Sequence, residues 1–351
     1  MNDASTKRHS RKGLYAPFII VLVGLAAWTG WWFYLTRQIE TRLDAQAETL
    51  RRAGWSVDYV KDGITGWPFR AHLKLKYVEV AAPSGHAVAA PALSAEANAY
   101  QPTKWVVVAP DGLVLTRAER GKVAVRGDAI RMSVHGLTQA WPNVALELVN
   151  PVFTAHEGAE IFPISRAGRI EFYIRPHIVG STVAIDDVDM LFRLIDAKGR
   201  PDGPVEAFTQ DGLLTIQTEA VIGQASALHG MDAAGVLSAW ARAGGTFRQV
   251  RGEMAAGESR ATLTSDLLRA RPDGRLEGRV ALKTIKPLPA LAGLAGTPHG
   301  AVNRVGAAGA AGAAAAAGAT GAGDELDLTV VFRDGRTWLG PFSIAPAPKL
   351  F

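Results

Sequence analysis

The first strong pattern along the chain is an uninterrupted apolar stretch over residues 14–35, which begins at Leu14 and ends at Leu35. It holds no charged residue, and as an α-helix it would be about 33 Å long, which matches the hydrocarbon core of a bilayer. The pattern therefore predicts a transmembrane helix. The alternative is a cleaved signal peptide, which is disfavoured because bulky aromatic residues stand where a cleavage site needs small ones.

A second helical pattern follows directly, over residues 36–54. Ile39, Leu43, Ala47 and Leu50 recur at helical spacing with charged residues between them, and Gly54 is placed to end the helix. We expect this amphipathic juxtamembrane helix to continue the transmembrane helix outward. Its apolar stripe is expected to pack on its own domain, and docking onto a partner helix is the alternative.

From residue 55 to residue 351 the pattern changes to short alternating runs that are broken by Gly, Pro and Asp. Alternation of this kind is typical of antiparallel strands with one wet and one dry face. The runs cover residues 72–77, 122–134, 169–174, 183–195, 213–221 and 260–268. Asp-Gly-Arg at residues 273–275 and 334–336 predicts two hairpin turns. The predicted fold is mainly β (a β-rich α+β class): a large curved antiparallel sheet with peripheral short helices, preceded by one transmembrane helix.

Two short helices and one low-complexity segment interrupt the strand pattern. Asp232 is placed to cap a helix that carries Trp240, and a second helix is predicted to begin near Pro287. Residues 301–323 are almost entirely Ala and Gly. Because interleaved Gly undoes the helical propensity of Ala, we expect a flexible surface insertion there, with no phosphate-binding role.

The distribution of charge predicts the orientation of the anchor. The net charge is +5, of which residues 1–13 contribute +3, so the rest of the chain is nearly neutral and offers no electrostatic surface for nucleic acid. A basic flank marks the cytoplasmic side of a membrane helix. We expect a cytoplasmic tail over residues 1–13 and a periplasmic domain over residues 55–351, held in a bacterial inner membrane. The predicted membrane-interface anchors are Lys7, Arg8, Arg11, Lys12, Trp28, Trp31, Trp32 and Tyr34.

The composition excludes several kinds of chemistry. There is no cysteine, which rules out disulfides, thiolate metal sites and a cysteine nucleophile. The eight histidines are scattered, without the close spacing of zinc ligands. Asp186, Asp187 and Asp189 form the densest acidic cluster, for which a solvated strand face is favoured over calcium or magnesium binding. We therefore expect no metal, no cofactor and no enzyme.

One short segment stands out as a candidate site. Trp67, Pro68, Phe69 and Arg70 follow Gly66 just before a predicted strand. Proline fixes one backbone torsion and restricts the residue before it, so two aromatic rings leave a rigid kink. We expect these rings either to wedge into the core or its mouth, which is the favoured interpretation, or to contact a ligand.

Several of these stretches together resemble a bacterial family of uncharacterised proteins, domain of unknown function 2125. They are the basic tail with Leu-Tyr-Ala-Pro-Phe, the Gly-Trp-Pro-Phe-Arg segment, the Asp-Gly-Arg-Leu-Glu-Gly hairpin, and Phe-Arg-Asp-Gly-Arg with Leu-Gly-Pro near the end. In that family the residue before the proline is usually Phe, so Trp67 is a conservative departure. The resemblance implies a membrane-tethered periplasmic domain and carries over no catalytic residue.

Two classes of function remain as expectations. In the first, the sheet binds or shields a lipid or another hydrophobic envelope component on an apolar face. In the second, the domain is a non-enzymatic scaffold or interaction module for cell-envelope proteins. A catalytic site assembled from distant residues ranks third.

Overall fold

The computed structural model describes residues 12–229, 236–296, 302–317 and 325–351. Helix α1 (Lys12–Arg52) is continuous, so the two helices predicted at the start of the chain are one element. Gly54 follows its last turn with a φ of +88°, and the Gly54 N–H donates to the Arg51 carbonyl at 2.9 Å. This left-handed conformation favours glycine and ends the helix where the sequence predicts. Among the described residues, α1 is the one helix long and apolar enough to cross a membrane.

The nineteen strands of the described chain form one antiparallel sheet, which confirms the predicted β-rich class. They are β1 (Ser56–Thr65), β2 (Arg70–Ala81), β3 (Ala87–Asn98), β4 (Gln101–Val108), β5 (Leu113–Arg117), β6 (Gly121–Arg126), β7 (Ala129–His135), β8 (Asn143–Val149), β9 (Val152–Ala155), β10 (Ile164–Arg166), β11 (Arg169–Val179), β12 (Thr182–Gly199), β13 (Leu214–Gly223), β14 (Thr246–Ala256), β15 (Ser259–Ala270), β16 (Leu276–Ile285), β17 (Glu325–Arg333), β18 (Arg336–Leu339) and β19 (Phe342–Pro346). The remaining α-helices of the described chain are α2 (Pro204–Thr209), α3 (Val236–Arg242), α4 (Pro287–Gly296) and α5 (Arg304–Ala317), and a 3-10 helix covers Ala225–His229.

The topology is an up-and-down meander. Strand β4 pairs with the last part of β3, and β5 pairs with its first part. Together β4 and β5 form one kinked ribbon along β3. The pairs β6 with β7, β8 with β9, and β10 with β11 form kinked ribbons in the same way. Each ribbon is hydrogen-bonded to the next one in the chain, up to β19. The described strand ladders therefore join strands or ribbons that are consecutive in the chain.

A crease crosses the four kinked ribbons. It passes through the breaks between their strands, at residues 109–112, 127–128, 150–151 and 167–168. At Gly127 a Cβ would lie 2.5 Å from the carbonyl oxygen of Val149, so only glycine fits there. The single alternating run predicted over residues 122–134 is accordingly two strands. The bend lets Val123, Val125 and Phe153 pack into a core cluster.

The predicted turns and short helices are present. Both Asp-Gly-Arg turns close hairpins, with Gly274 and Gly335 at positive φ. Helix α3 buries Trp240, whose indole N–H donates to the Gly223 carbonyl at 2.7 Å. Helix α4 begins at Pro287. Asp232, the predicted cap of α3, lies outside the described residues.

Helix α5 takes the place of the flexible insertion expected over residues 301–323. Its buried residues Ala307, Ala310 and Ala314 face the sheet, where the latter two pack in a cluster with Leu339. A Cβ on Gly306 would overlap the carbonyl oxygen of Ser343. Small side chains thus let the helix backbone come close to β19, and close packing supplies the stability that propensity lacks. Residues 301 and 318–323 of this segment lie outside the described residues.

Replacing glycine by alanine at two positions of α5 is expected to change the free energy of unfolding in opposite directions. Gly306→Ala should lower the free energy of unfolding by about 1–3 kcal/mol, because the added methyl overlaps the β19 backbone. Gly312→Ala should raise it by up to about 1 kcal/mol, because no atom lies within 4 Å of the added methyl and alanine favours the helix. Chemical unfolding of the full chain in detergent micelles measures both. Small and equal effects would contradict a packed helix.

Candidate functional site

The register of the sheet sorts its side chains onto two faces. Residues directly opposite each other in an antiparallel pair point to the same side. Following the pairs from β2 to β17 gives one row across twelve strands, here called the apolar row. Its members carry no charge: Leu73, Ala95, Val107, Met132, Leu146, Phe172, Phe192, Thr218, Gly252, Leu263, Leu282 and Leu328.

The chain neighbours of these residues form a second row on the other face, here called the polar row. Eight of its twelve members are charged. The polar row is Lys74, Ser94, Val108, Arg131, Glu147, Glu171, Arg193, Gln217, Glu253, Thr262, Lys283 and Asp327. The sheet therefore has one apolar and one charged face over most of its width.

At the centre of the charged face, acidic and basic side chains form ion pairs with each other. Glu147 lies 2.5 Å from Arg131 and 3.5 Å from Arg169, and Glu171 lies 3.3 Å from Arg193. Glu171 is only 6% exposed. Burial, followed by the charge of Glu171, raises the pKa of Tyr173 above its usual range. The centre of this face therefore carries cross-strand ion pairs.

Helices and packed clusters cover the two ends of the apolar face. At the β2 end, Ile39 and Leu43 of α1 pack on Leu73 and Leu75, so the juxtamembrane stripe contacts its own domain, as expected. At the other end, α5 packs over Leu328. Clusters that include α2 and α3 lie between these ends, toward β12 and β13.

Among the described residues, the middle of the apolar face carries side chains that no packed cluster includes. Seven side chains here are half-buried and belong to none of the packed clusters. They lie on four adjacent strands and are here called the apolar patch: Trp105, Val107, Met132, Val134, Val144, Leu146 and Phe172. By strand spacing the patch is about 14 Å wide. It is a continuous hydrophobic surface with no ionisable side chain.

The aspartate cluster pairs with cations and with a backbone N–H. The Asp187 carboxylate lies 2.6 Å from Arg248, and Asp189 lies 3.0 Å from Arg175 and 2.6 Å from His177. Asp186 accepts the backbone N–H of Ser226 at 2.6 Å. Across the described residues, no three His, Asp or Glu side chains are grouped so as to hold a metal.

A second feature joins the anchor helix to the sheet through three tryptophans, here called the anchor junction. The indole N–H groups of Trp28 and Trp32 donate to the carbonyls of Pro68 and Arg70, both at 2.8 Å. Trp31 donates to the carbonyl of Ala99 at 3.3 Å, in the turn between β3 and β4. Pro68 and Ala99 lie in turns, and Arg70 is the first residue of β2. The junction therefore fixes the helix against two turns of the sheet.

The Trp67–Arg70 candidate segment lies at this junction and outside the core. Trp67 and Phe69 are 49% and 64% exposed, so neither ring is wedged among core residues. The Trp67 indole donates to the hydroxyl of Thr29 at 3.3 Å, and Arg70 pairs with Glu96 at 2.7 Å. The kink places the carbonyls of Pro68 and Arg70 within hydrogen-bond distance of the α1 tryptophans.

The remaining predicted interface residues are placed as follows. Tyr34 is exposed, and its ring centroid lies 5.8 Å from that of Trp31. Lys7, Arg8 and Arg11 lie outside the described residues. Lys12 is the first residue of α1. Sequence reasoning missed the turn at Ala99, for which the only signal is a short break between two strand patterns.

Removing one donor tests the anchor junction. Trp32→Phe should lower the free energy of unfolding by about 1–3 kcal/mol. The variant keeps a buried aromatic ring but removes the indole N–H that donates to the Arg70 carbonyl. Amides of residues 66–70 should then exchange hydrogen faster in the full chain. Tyr34→Phe, on the exposed side of the same helix, is the control and should leave that exchange unchanged. Equal exchange in both variants would contradict the junction.

Comparison with known proteins gives one match. A family model described as "Uncharacterized protein conserved in bacteria (DUF2125)" matches residues 32–348. No curated protein and no solved structure matches the chain. The matched region runs from the junction tryptophan Trp32 to the end of the sheet, which confirms the family resemblance carried by the sequence motifs. The chain therefore belongs to the DUF2125 family of uncharacterised bacterial proteins.

Proposed function

We propose that this protein is a membrane-anchored lipid-binding protein of the bacterial envelope, in which the apolar patch holds the hydrocarbon chain of a lipid or a similar hydrophobic molecule. The observation that carries the proposal is the contrast between the two rows. The apolar row has no charged member on twelve strands, and eight of the twelve members of the polar row are charged. An apolar surface that the described helices leave uncovered is a candidate binding site.

The size of the patch is adequate for such a ligand. Moving one methylene from water onto an apolar surface is worth about 0.8 kcal/mol, so ten methylenes contribute about 8 kcal/mol before ordering costs. Four adjacent strands present the seven patch residues, and no ionisable group interrupts them. An elongated hydrocarbon chain fits this chemistry better than a polar substrate, which would need convergent polar groups. We therefore propose binding and not catalysis.

The anchor supports the same proposal. Residues 14–35 are uncharged and suit the thickness of a bilayer, and the basic residues before them favour a cytoplasmic N-terminus. With that topology the sheet lies on the periplasmic side of the inner membrane. The family's occurrence in bacteria agrees with such a location. The patch then works next to a lipid surface.

Two cross-strand pairs, one residue apart, provide a matched test. Leu146 and Phe172 face each other on the apolar side, and Ala145 and Tyr173 face each other on the polar side. The full chain is placed in vesicles that contain a phospholipid with a photoreactive acyl chain. We expect the double variant Leu146→Gln, Phe172→Gln to lower labelling of the patch about tenfold, which corresponds to about 1.4 kcal/mol. Ala145→Gln, Tyr173→Gln should label like the unchanged chain.

Two results would contradict lipid binding at the patch. One is a purified full chain that carries no lipid by mass spectrometry and shows no labelled patch peptide. The other is equal labelling of the two double variants when both unfold at the same temperature as the unchanged chain.

A second candidate, an interaction module for other envelope proteins, has one observation in its favour. The hairpin between β11 and β12 ends in four exposed apolar side chains, Ile178, Val179, Val183 and Ile185, of which Ile185 is 86% exposed. They lie at the tip of the hairpin, away from the apolar patch. A protruding apolar tip is a typical protein contact.

The tip can be tested separately from the patch. Ile178→Ser with Ile185→Ser should abolish specific cross-links between the full chain and another envelope protein in intact cells, because the apolar contact is lost. Lipid labelling of the patch should stay unchanged. Cross-links that persist in this variant would exclude the tip as the contact.

A further inference from the structure

We infer that a cleft between the anchor helix and two turns of the sheet binds the acyl chain of a bilayer lipid and supplies it to the apolar patch. The cleft has a volume of about 530 Å³ and is here called the anchor cleft. Its lining is almost wholly apolar: Val21, Gly24, Leu25, Trp28, Pro68, Phe69 and Tyr100. The supply role rests on the proposed function, whereas acyl binding in the cleft is a separate claim.

The helix side of the cleft is one face of α1. Val21, Gly24, Leu25 and Trp28 are spaced three, four and seven residues apart, so they lie on one stripe. Farther along, the same stripe includes Trp32 and packs against the domain. At Val21 and Leu25 the stripe has left the sheet, and both side chains are exposed. The stripe of α1 that packs on the domain thus continues along the helix past the last contact with the domain.

The position of the cleft along the anchor helix determines what can occupy it. Trp28 is fixed to Pro68 by its indole hydrogen bond, and Val21 is seven residues earlier, about 10 Å along the helix axis. Both residues belong to the uncharged stretch over residues 14–35. In the proposed membrane orientation this part of the cleft lies at the level of hydrocarbon. Its surroundings are then lipid chains, which match its apolar lining.

The two turns supply aromatic walls. Phe69 is 64% exposed and Tyr100 is 67% exposed, although each lies on a turn that the anchor junction fixes. Exposed aromatic side chains next to a membrane helix are typical of the lipid–water interface. We expect both rings to border the chain of a lipid that is still in the bilayer.

In the chain, β4 leads from the cleft to the apolar face of the sheet. Tyr100 immediately precedes β4, whose residues Thr103, Trp105 and Val107 alternate onto the apolar face. Lys104 is on the opposite face. From Tyr100 to Trp105 the distance along a strand is about 17 Å. No charged side chain lies on this path along β4, so a hydrocarbon chain can pass from the cleft to the patch.

Two glycines of the anchor provide a matched test. Gly24 lines the cleft and Gly30 does not, and in both cases no atom lies within 4 Å of an added Cβ. Gly24→Trp should fill the cleft, while Gly30→Trp places the same side chain elsewhere on the helix. The full chain is placed in vesicles of phospholipid with a photoreactive acyl chain, and labelled peptides are followed over time.

We expect Gly24→Trp to lower labelling of the turns at residues 66–70 and 98–101 about tenfold and to slow labelling of the patch, with Gly30→Trp close to the unchanged chain. Phe69→Ala, which removes one wall without filling the cleft, should also lower labelling of the turns. Equal labelling of the turns in the Gly24→Trp and Gly30→Trp variants would overturn acyl binding in the cleft. If the turns respond but the patch labels at an unchanged rate, the supply role is overturned and the proposed function stands.

The proposed function can fail separately. A chain whose turns are labelled and whose patch never is would contradict lipid binding by the sheet and would also overturn supply from the cleft. A second copy of α1 is the other occupant to consider. If Gly24→Trp breaks a dimer that Gly30→Trp preserves, and lipid labelling of the turns is unchanged, the cleft is a helix interface and the inference is wrong.

Discussion

The register of the meander is the constraint on which the rest of this structure depends. Because opposed residues share a face, each apolar residue of the row stays on its side only while every neighbouring pair keeps its alignment. A slip of one residue in β11 would place Glu171 beside Leu146 and Phe192, at the cost of several kcal/mol for a buried, unpaired charge. Ion pairs such as that of Glu171 with Arg193 oppose the same slip from the other face.

Four helices, α1, α2, α3 and α5, cover parts of the apolar face, and their positions relate the anchor to the patch. Helix α1 covers it at β2, packed clusters with α2 and α3 cover it near β12 and β13, and α5 covers it at β17. The open patch is the interval that none of these described helices reaches. The stripe of α1 that packs on this face also continues toward the membrane as one wall of the anchor cleft. The proposed path of lipid therefore joins two apolar surfaces, the anchor cleft and the apolar patch.

Local patterns were enough to predict several strands, among them β11, β12, β13 and β15, together with the Asp-Gly-Arg turns and the end of α1 at Gly54, because each depends on residues close in sequence. The patch could not be predicted, because it exists only when Leu146 and Phe172 are aligned by register. Helix α5 was missed because its stability comes from the close approach of Gly306 to β19 and not from propensity. For the tryptophans, the sequence indicated an interface belt but could not reveal which carbonyls their N–H groups meet.

The continuity of α1 has a consequence for how lipid would reach the sheet. The helix runs without a break from Lys12 to Arg52, and its second half packs on β1 to β3. Three indole hydrogen bonds hold it at the level where the apolar stretch ends. A domain on a flexible linker samples many heights above a membrane. A domain fixed to its helix keeps the β3–β4 turn at one height, which agrees with the proposed transfer of lipid from a membrane that the helix would span.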